Sequence, residues 1–156
     1  MLQDTQNIKA LCLRLLANRE HSKAQLCHKL LDKGFKQEQV EAVIESLAEQ
    51  DWQNDQRYAE NYARYRILKG FGPLRIRYEL RQNGIYQFDF APVLLEMDST
   101  WMELIEQVYL KKYQHNSLIA AAEVAKRGRF LQQRGFSPEM INALFNHLNI
   151  SNKTNH

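Results

Sequence analysis

The sequence has little of what staples, breaks or embeds a chain. Two cysteines, Cys12 and Cys27, in 156 residues cannot make a disulfide framework. No apolar run nears the roughly 18 residues that a membrane span needs; the best, "ALCLRLLA" at 10–17, is short and holds Arg14. The opening "MLQDTQNIKA" lacks the basic-then-apolar layout of a signal peptide, so a cytoplasmic location and no membrane partner are expected. Chemistry is also scarce. The glycine pair Gly70 and Gly72 is neither a P-loop, which needs G-x-x-x-x-G-K-[ST], nor a dinucleotide fingerprint, whose third glycine would fall on Arg75. His21, Cys27 and His28 match no zinc spacing. His115, His147 and His156 lie far apart, and paired carboxylates occur only on acidic helical faces. No catalytic residue, no metal and no cofactor are expected, and the chain does not read as an enzyme.

What is present favours helix. Apolar residues make up 44% and charged residues 25%, the balance of a globular chain rather than a disordered one. Prolines number three and glycines six, β-branched runs are few, and Ala, Leu, Gln, Glu, Lys and Arg dominate.

The chain repeats itself. Gly34, Gly84 and Gly135 are spaced by 50 and 51 residues. Each is followed by an apolar residue (Phe35, Ile85, Phe136) and preceded by a leucine four positions earlier (Leu30, Leu80, Leu131). Beyond each glycine run Val40, Val43, Ile44 and Leu47; Phe90, Val93, Leu94 and Met97; Ile141, Leu144, Phe145 and Leu148. That spacing is one face of a helix. A helix–glycine–helix unit thus occurs three times, with the glycines at the left-handed C′ position of helix ends. Gly70 and Gly72 are expected to do similar work, with Pro73 opening the next helix. Ser22 with Gln25 and Thr100 with Glu103 read as capping boxes; Asp55 reads as a cap, and Ser137 with Pro138 opens the last helix.

The expectation is an all-α fold, an elongated array of three tandem three-helix repeats at 1–50, 51–98 and 99–150, with a disordered tail at 151–156. Helices are expected at 5–17, 22–33 and 38–49; at 55–68, 73–83 and 88–97; and at 100–114, 117–134 and 138–148, leaving no room for a sheet. A monomer is expected.

Charge follows the repeat. Segments 1–36, 57–81 and 111–134 hold seven, seven and six Lys or Arg, against three, two and one Asp or Glu; 37–56 and 88–106 hold six and five acids and no base. One reading is that basic and acidic helices attract each other and stay solvated, at about 0–1 kcal/mol per pair. The other is a basic surface for a polyanion or acidic partner. Its contact residues would be Arg64, Arg66, Lys69, Arg75, Arg77 and Arg81, with Lys111, Lys112, Lys126, Arg127 and Arg129 as a second patch. Tyr58, Tyr62, Tyr65, Phe71 and Tyr78 interleave with the first patch, a combination that single-stranded nucleic acid sites use, yet the spacing of Tyr58, Tyr62 and Tyr65 suits a core stripe first. By the glycine register, Arg77 and Arg81 replace Cys27 and Leu31 of the first repeat, positions expected to be packed. Arg75 and Glu79 are spaced to pair.

The stretch "DQRYAENYARYRILKGFGPLRIRYELRQNGI" at 55–85 resembles the signature of the RecX family of RecA regulators. The matching residues are Asp55, Tyr58-Ala59, Arg64 and Arg66, Lys69-Gly70 and Gly72, Arg75-Ile76, Glu79-Leu80 and Gly84-Ile85. One departure is "DWQND", where the family has Leu-Asp-Asp; Trp52 and Asn54 replace parts of it. The resemblance implies a curved array of three-helix repeats. It also implies a protein that binds RecA nucleoprotein filaments along their helical groove, inhibits recombinase, ATPase and co-protease activities, and so modulates recombinational repair and the SOS response. Single-stranded DNA within the filament is a further expected partner. The alternative is a helical-repeat protein whose main partner is single-stranded DNA itself.

Overall fold

A computed structural model of the chain describes residues 2–114 and 118–152. Among these it contains nine helices: α1 Leu2–Asn18, α2 Lys23–Asp32, α3 Gln37–Glu49, α4 Asp55–Leu68, α5 Pro73–Gln82, α6 Ala91–Glu96, α7 Trp101–Lys112, α8 Ala121–Gln133 and α9 Pro138–His147. Residue 117, the expected start of the helix over 117–134, residues 153–156 of the expected tail at 151–156, and His115 and His156 lie outside the described residues.

Two of the corrected expectations concern a sheet and the length of a helix. A short parallel ladder exists, pairing β1 (Leu118–Ile119) with β2 (Ser151–Asn152). It takes residues assigned above to the start of α8 and to the tail. Ile119 is 6% exposed and Leu118 46%, the alternation of a half-buried strand. The other correction is α6, six residues rather than ten. Pro92 has no N–H to continue a helix backward, and the Asp89 carboxylate takes the Ala91 N–H at 2.9 Å instead.

The punctuation is more regular than the glycines alone suggest. Gly34, Gly84 and Gly135 have φ of +93°, +85° and +103°. At each, the glycine N–H bonds a carbonyl three residues back, and the next N–H reaches the leucine carbonyl five back: Phe35 to Leu30, Ile85 to Leu80, Phe136 to Leu131. This is a Schellman close, so the repeated leucine serves both as core side chain and as cap acceptor. Gly70 ends α4 in the same way. A second series was not visible from the glycines: Asp51, Asp98 and Asn149, at φ of +63°, +52° and +56°, close the third helix of each repeat. Asp and Asn tolerate this conformation better than other side chains.

At the N-termini, Ser22 and Gln25 form the full capping box. The Thr100 hydroxyl accepts the Glu103 N–H and donates to its carboxylate, both at 3.2 Å. Ser137 accepts the Met140 N–H at 3.1 Å. The cap of α4 is Asn54, not Asp55: the Asn54 side chain accepts the Arg57 N–H at 2.9 Å. Asp55 is freed to accept the Lys23 N–H, at the start of α2, at 2.9 Å.

The contacts divide the chain into two compact units, Met1–Tyr62 with Glu79–Phe88 and Ala63–Tyr78 with Asp89–His156. In the first, Ile8 and Cys12 of α1, Leu26 and Leu30 of α2, and Val40, Val43, Ile44 and Leu47 of α3 make one core. In the second, Ile105, Tyr109, Leu131 and Phe136 join Ile141, Leu144, Phe145 and Leu148. The two apolar faces have identical spacing. Burying each such side chain contributes about 1.5–3 kcal/mol, enough to select the helical register.

The same joint is used once in each unit. In the first, the start of α2 meets the end of α5: a Cβ on Gly84 would lie 2.6 Å from Ala24 Cβ, and Gln25 bonds Asn83. In the second, the start of α5 meets the end of α8. The Gly72 and Leu74 N–H groups bond the Arg134 and Gly135 carbonyls at 2.8 and 2.9 Å. A Cβ on Gly135 would lie 2.4 Å from Arg75 Cβ, and one on Gly72 would lie 2.6 Å from the Gly135 backbone. Gly72 is therefore required for close approach, not for a left-handed turn. At Gly34 nothing lies within 4 Å.

Candidate functional site: a basic surface with a cleft

Most of the cations singled out in sequence lie in the second unit; Arg81 lies in the first and is exposed. Burial then sorts them. Arg127 is only 8% exposed. Its guanidinium donates to the Tyr109 hydroxyl at 2.8 Å and to Glu123 at 3.0 Å, and it lies 4.5 Å from the Tyr113 ring centroid. Burial lowers its pKa, but those hydrogen bonds and the charge interactions with Tyr109 and Glu123 together outweigh it and hold the pKa above the ordinary arginine value. Arg127 is thus a core residue of the third repeat, and its place in a contact patch is withdrawn. Arg64 is half-buried and paired with Glu96. Lys126 and Arg129 are exposed on α8.

Arg66 and Arg75 converge. Phe71, in the turn between α4 and α5, has the Arg66 guanidinium 3.8 Å, Arg75 4.5 Å and Arg134 4.8 Å from its ring centroid. Arginine planes stack on aromatic faces at about 0.5–1 kcal/mol each at exposed sites, which fixes them without neutralising them. Arg75 also donates to the Gln133 carbonyl at 3.2 Å. Glu79 accepts the Tyr62 hydroxyl at 2.9 Å. Arg77 and Arg81 are exposed, and Arg77 lies 5.0 Å from the Phe90 centroid. Of their first-repeat equivalents, Cys27 is half-buried and packs against the first core as expected, whereas Leu31 is 37% exposed. Tyr58 is 2% exposed and Tyr65 is 56% exposed: the tyrosine stripe begins in the core and ends on the surface.

Lys69 of the first patch and Lys111 and Lys112 of the second meet in one cleft of about 400 Å³, together with Arg134. Arg134 was counted in the basic run but not chosen as a contact. Its role is set by its position one residue before Gly135, where it caps α8, donates to the Lys69 carbonyl at 3.2 Å and lies 5.5 Å from the Phe130 centroid. Only the register of the repeated glycine could have flagged it.

Of the cysteine–histidine grouping in the first unit, His21 is held in the core. His21 is 1% exposed; its Nδ1 donates to the Arg19 carbonyl at 3.0 Å, leaving Nε2 3.0 Å from Lys29 Nζ. Burial lowers the His21 pKa below 6.5, with Arg19 and Lys29 adding to the effect and the Arg19 carbonyl and Glu20 opposing it. Burial pushes the Cys12 thiol up to about 11. Among the described residues, no group of three or more His, Cys, Asp or Glu is arranged to hold a metal ion, and no helix is long and apolar enough to cross a membrane.

Tandem helix–glycine–helix units with cations gathered at helix ends define a helical-repeat protein with a basic surface. Models of the three RecX three-helix domains match in order, the first at residues 9–47, the second at 54–87 and the third at 100–145. The chain belongs to the RecX family of regulatory proteins. It is 38% identical over 137 residues to the regulatory protein RecX of Pseudomonas fluorescens (strain SBW25), covering 88% of each chain. To that of Ectopseudomonas mendocina it is 35% identical, covering 92% of this chain and 96% of the relative. The crystal structure of RecX from Lactobacillus salivarius shares the fold at a TM-score of 0.75, with 21% identity, covering 97% of this chain and all of that one.

Proposed function

We propose that this protein binds RecA nucleoprotein filaments and inhibits their recombinase, ATPase and co-protease activities, modulating recombinational repair and the SOS response in the cytoplasm. It acts by binding, with no chemistry of its own. Its repeats run 1–50, 51–98 and 99–150. The observation that carries this reading, within a family of regulatory proteins, is the gathering of Arg66, Arg75 and Arg134 around Phe71 beside a cleft with Lys69, Lys111 and Lys112. Fixed guanidinium planes of this kind suit bidentate recognition of carboxylates or phosphates. The contact set in the second unit is Arg66, Lys69, Arg75, Arg77, Lys111, Lys112 and Arg134, with Arg64, Lys126 and Arg129 as further candidates; Arg81 is a separate candidate on the first unit.

The test is the ATPase rate of RecA on single-stranded DNA, titrated with this protein. Inhibition well below one molecule per RecA subunit is the expected result; no inhibition by folded protein overturns the reading. Charge reversal at Arg75 and Arg77 together is expected to weaken inhibition while leaving helicity intact. Full inhibition by that variant removes both residues from the contact set.

A further inference from the structure

We propose that the cleft between the ends of α4, α7 and α8 is a nucleotide site, which takes the phosphates of one nucleotide against its cations and the base against its apolar wall. The proposal deepens the reading of this surface as a polyanion contact, but it does not depend on the recombinase being the partner.

The electrostatics come first. Lys69, Lys111, Lys112 and Arg134 line the cleft, and no Asp or Glu does so among the described residues. Each sits at a helix end: Lys69 follows α4, Lys111 and Lys112 fill the last turn of α7, and Arg134 caps α8. One explanation is that these side chains merely offset the helix dipoles. The magnitudes decide otherwise. Three C-termini contribute about −0.5 elementary charge each, roughly −1.5 in all. Four full cations exceed that by about 2.5 charges. A single carboxylate would leave most of this excess unmet, whereas the phosphates of a nucleotide carry about that much opposite charge.

Shape and chemistry agree with the charge. A volume of about 400 Å³ lies in the range of small-molecule sites, about 300–1,000 Å³. Phe130, Val108 and Leu104 supply apolar wall. Lys112 Nζ lies 4.1 Å from the Phe130 centroid, so a cation and a ring are presented together, the pairing that nucleotide binding uses. Tyr65, 56% exposed, carries Lys69 Nζ at 5.5 Å from its centroid and extends the same pairing outside the cleft. The backbone allows the approach: Gly70 presents no side chain where a Cβ would lie 3.4 Å from Val108 and 3.8 Å from Arg134.

The nucleotide has two sources, a free nucleoside triphosphate or a unit within a single strand. The experiment uses the full chain, ATP, and a fluorescent 20-residue oligothymidylate without RecA, followed by anisotropy across a salt series. The Lys111→Gln, Lys112→Gln double variant is compared with a charge-matched Lys33→Gln, Lys36→Gln control on the other unit. The cleft variant is expected to lose tenfold or more in affinity. Its log K against log salt should be shallower by about 1.4, since each phosphate contact on a single strand contributes about 0.7. ATP that competes with the oligomer on wild type but not on the cleft variant assigns the site to nucleotide phosphate from either source. Loss of oligomer binding without ATP competition assigns it to strands alone. Absence of wild-type binding to both probes, or equal weakening by the control, overturns the site. RecA inhibition by the cleft variant is measured in parallel, so that a failure of the cleft is separable from a failure of the regulatory function.

Discussion

Arg127 and Arg134 differ by seven positions and exchange the roles that their sequence context suggests. Arg127 stands in a basic run, yet Tyr109, eighteen residues earlier, provides a buried hydroxyl for it; no local pattern contains that partner. Replacing Arg127 with Ala strands the Glu123 carboxylate and the Tyr109 hydroxyl. It is expected to cost about 3 kcal/mol, read as a lowered denaturation midpoint. Cys12 has no exposure and a thiol pushed up to about 11. Iodoacetamide at pH 8 is therefore expected to label it only after unfolding, which mass spectrometry of native and denatured samples would check. His21 titrates in the opposite sense to a salt-bridged histidine. Its folded pKa lies below the unfolded 6.5, so as pH falls through about 6.5 the unfolded chain takes up a proton that the folded chain refuses. Stability is expected to drop from that point down to the folded value and then level off. Denaturation at pH 7.5 and 5.5 checks this, and His21→Gln should flatten the difference.

Elements were the most legible level, because each repeated glycine ends a helix whose apolar face resumes at fixed spacing. The expected bounds of α4 hold at both ends, and those of α2, α3, α5 and α9 move by one residue. Where the expectation failed, a specific local group intervened: Pro92 in α6, Asn54 at the cap of α4, and the strand return after Asn149. The glycines look equivalent in sequence but differ in what they touch. Gly34→Ala meets only the left-handed penalty, about 1–2 kcal/mol, because its surroundings are empty. Gly135→Ala meets that penalty and the Arg75 backbone, at 2.7 Å from the new Cβ to its nitrogen. The expected cost is about 3 kcal/mol or more once overpacking is added. Equal losses in thermal unfolding would show that the joint gives way easily.

For the whole molecule, a net charge of +3 says little, and its distribution says more. The basic runs were legible from sequence as composition, and so was their period. Which of their members converge was not, because Lys69, Lys111 and Lys112 meet through the ends of α4 and α7, and Arg134 enters through a cap. Every member of the proposed contact set except Arg134 was named from the sequence; Arg134 came from the joint that docks α5 on α8. The proposed inhibition of RecA by this surface is expected to weaken as salt rises from 50 to 200 mM, since several exposed, screenable cations would be engaged at once; a salt-independent titration would point to apolar contacts such as Tyr65 and Leu68 instead. The joint also leaves a mark on how the sequence can drift. Gly84 and Gly135 each receive a neighbouring helix start, whereas Gly34 receives nothing. Among descendants of a common three-repeat ancestor, the first position should accept asparagine with little loss, while the other two stay glycine, so that three sites of one origin come to evolve at different rates.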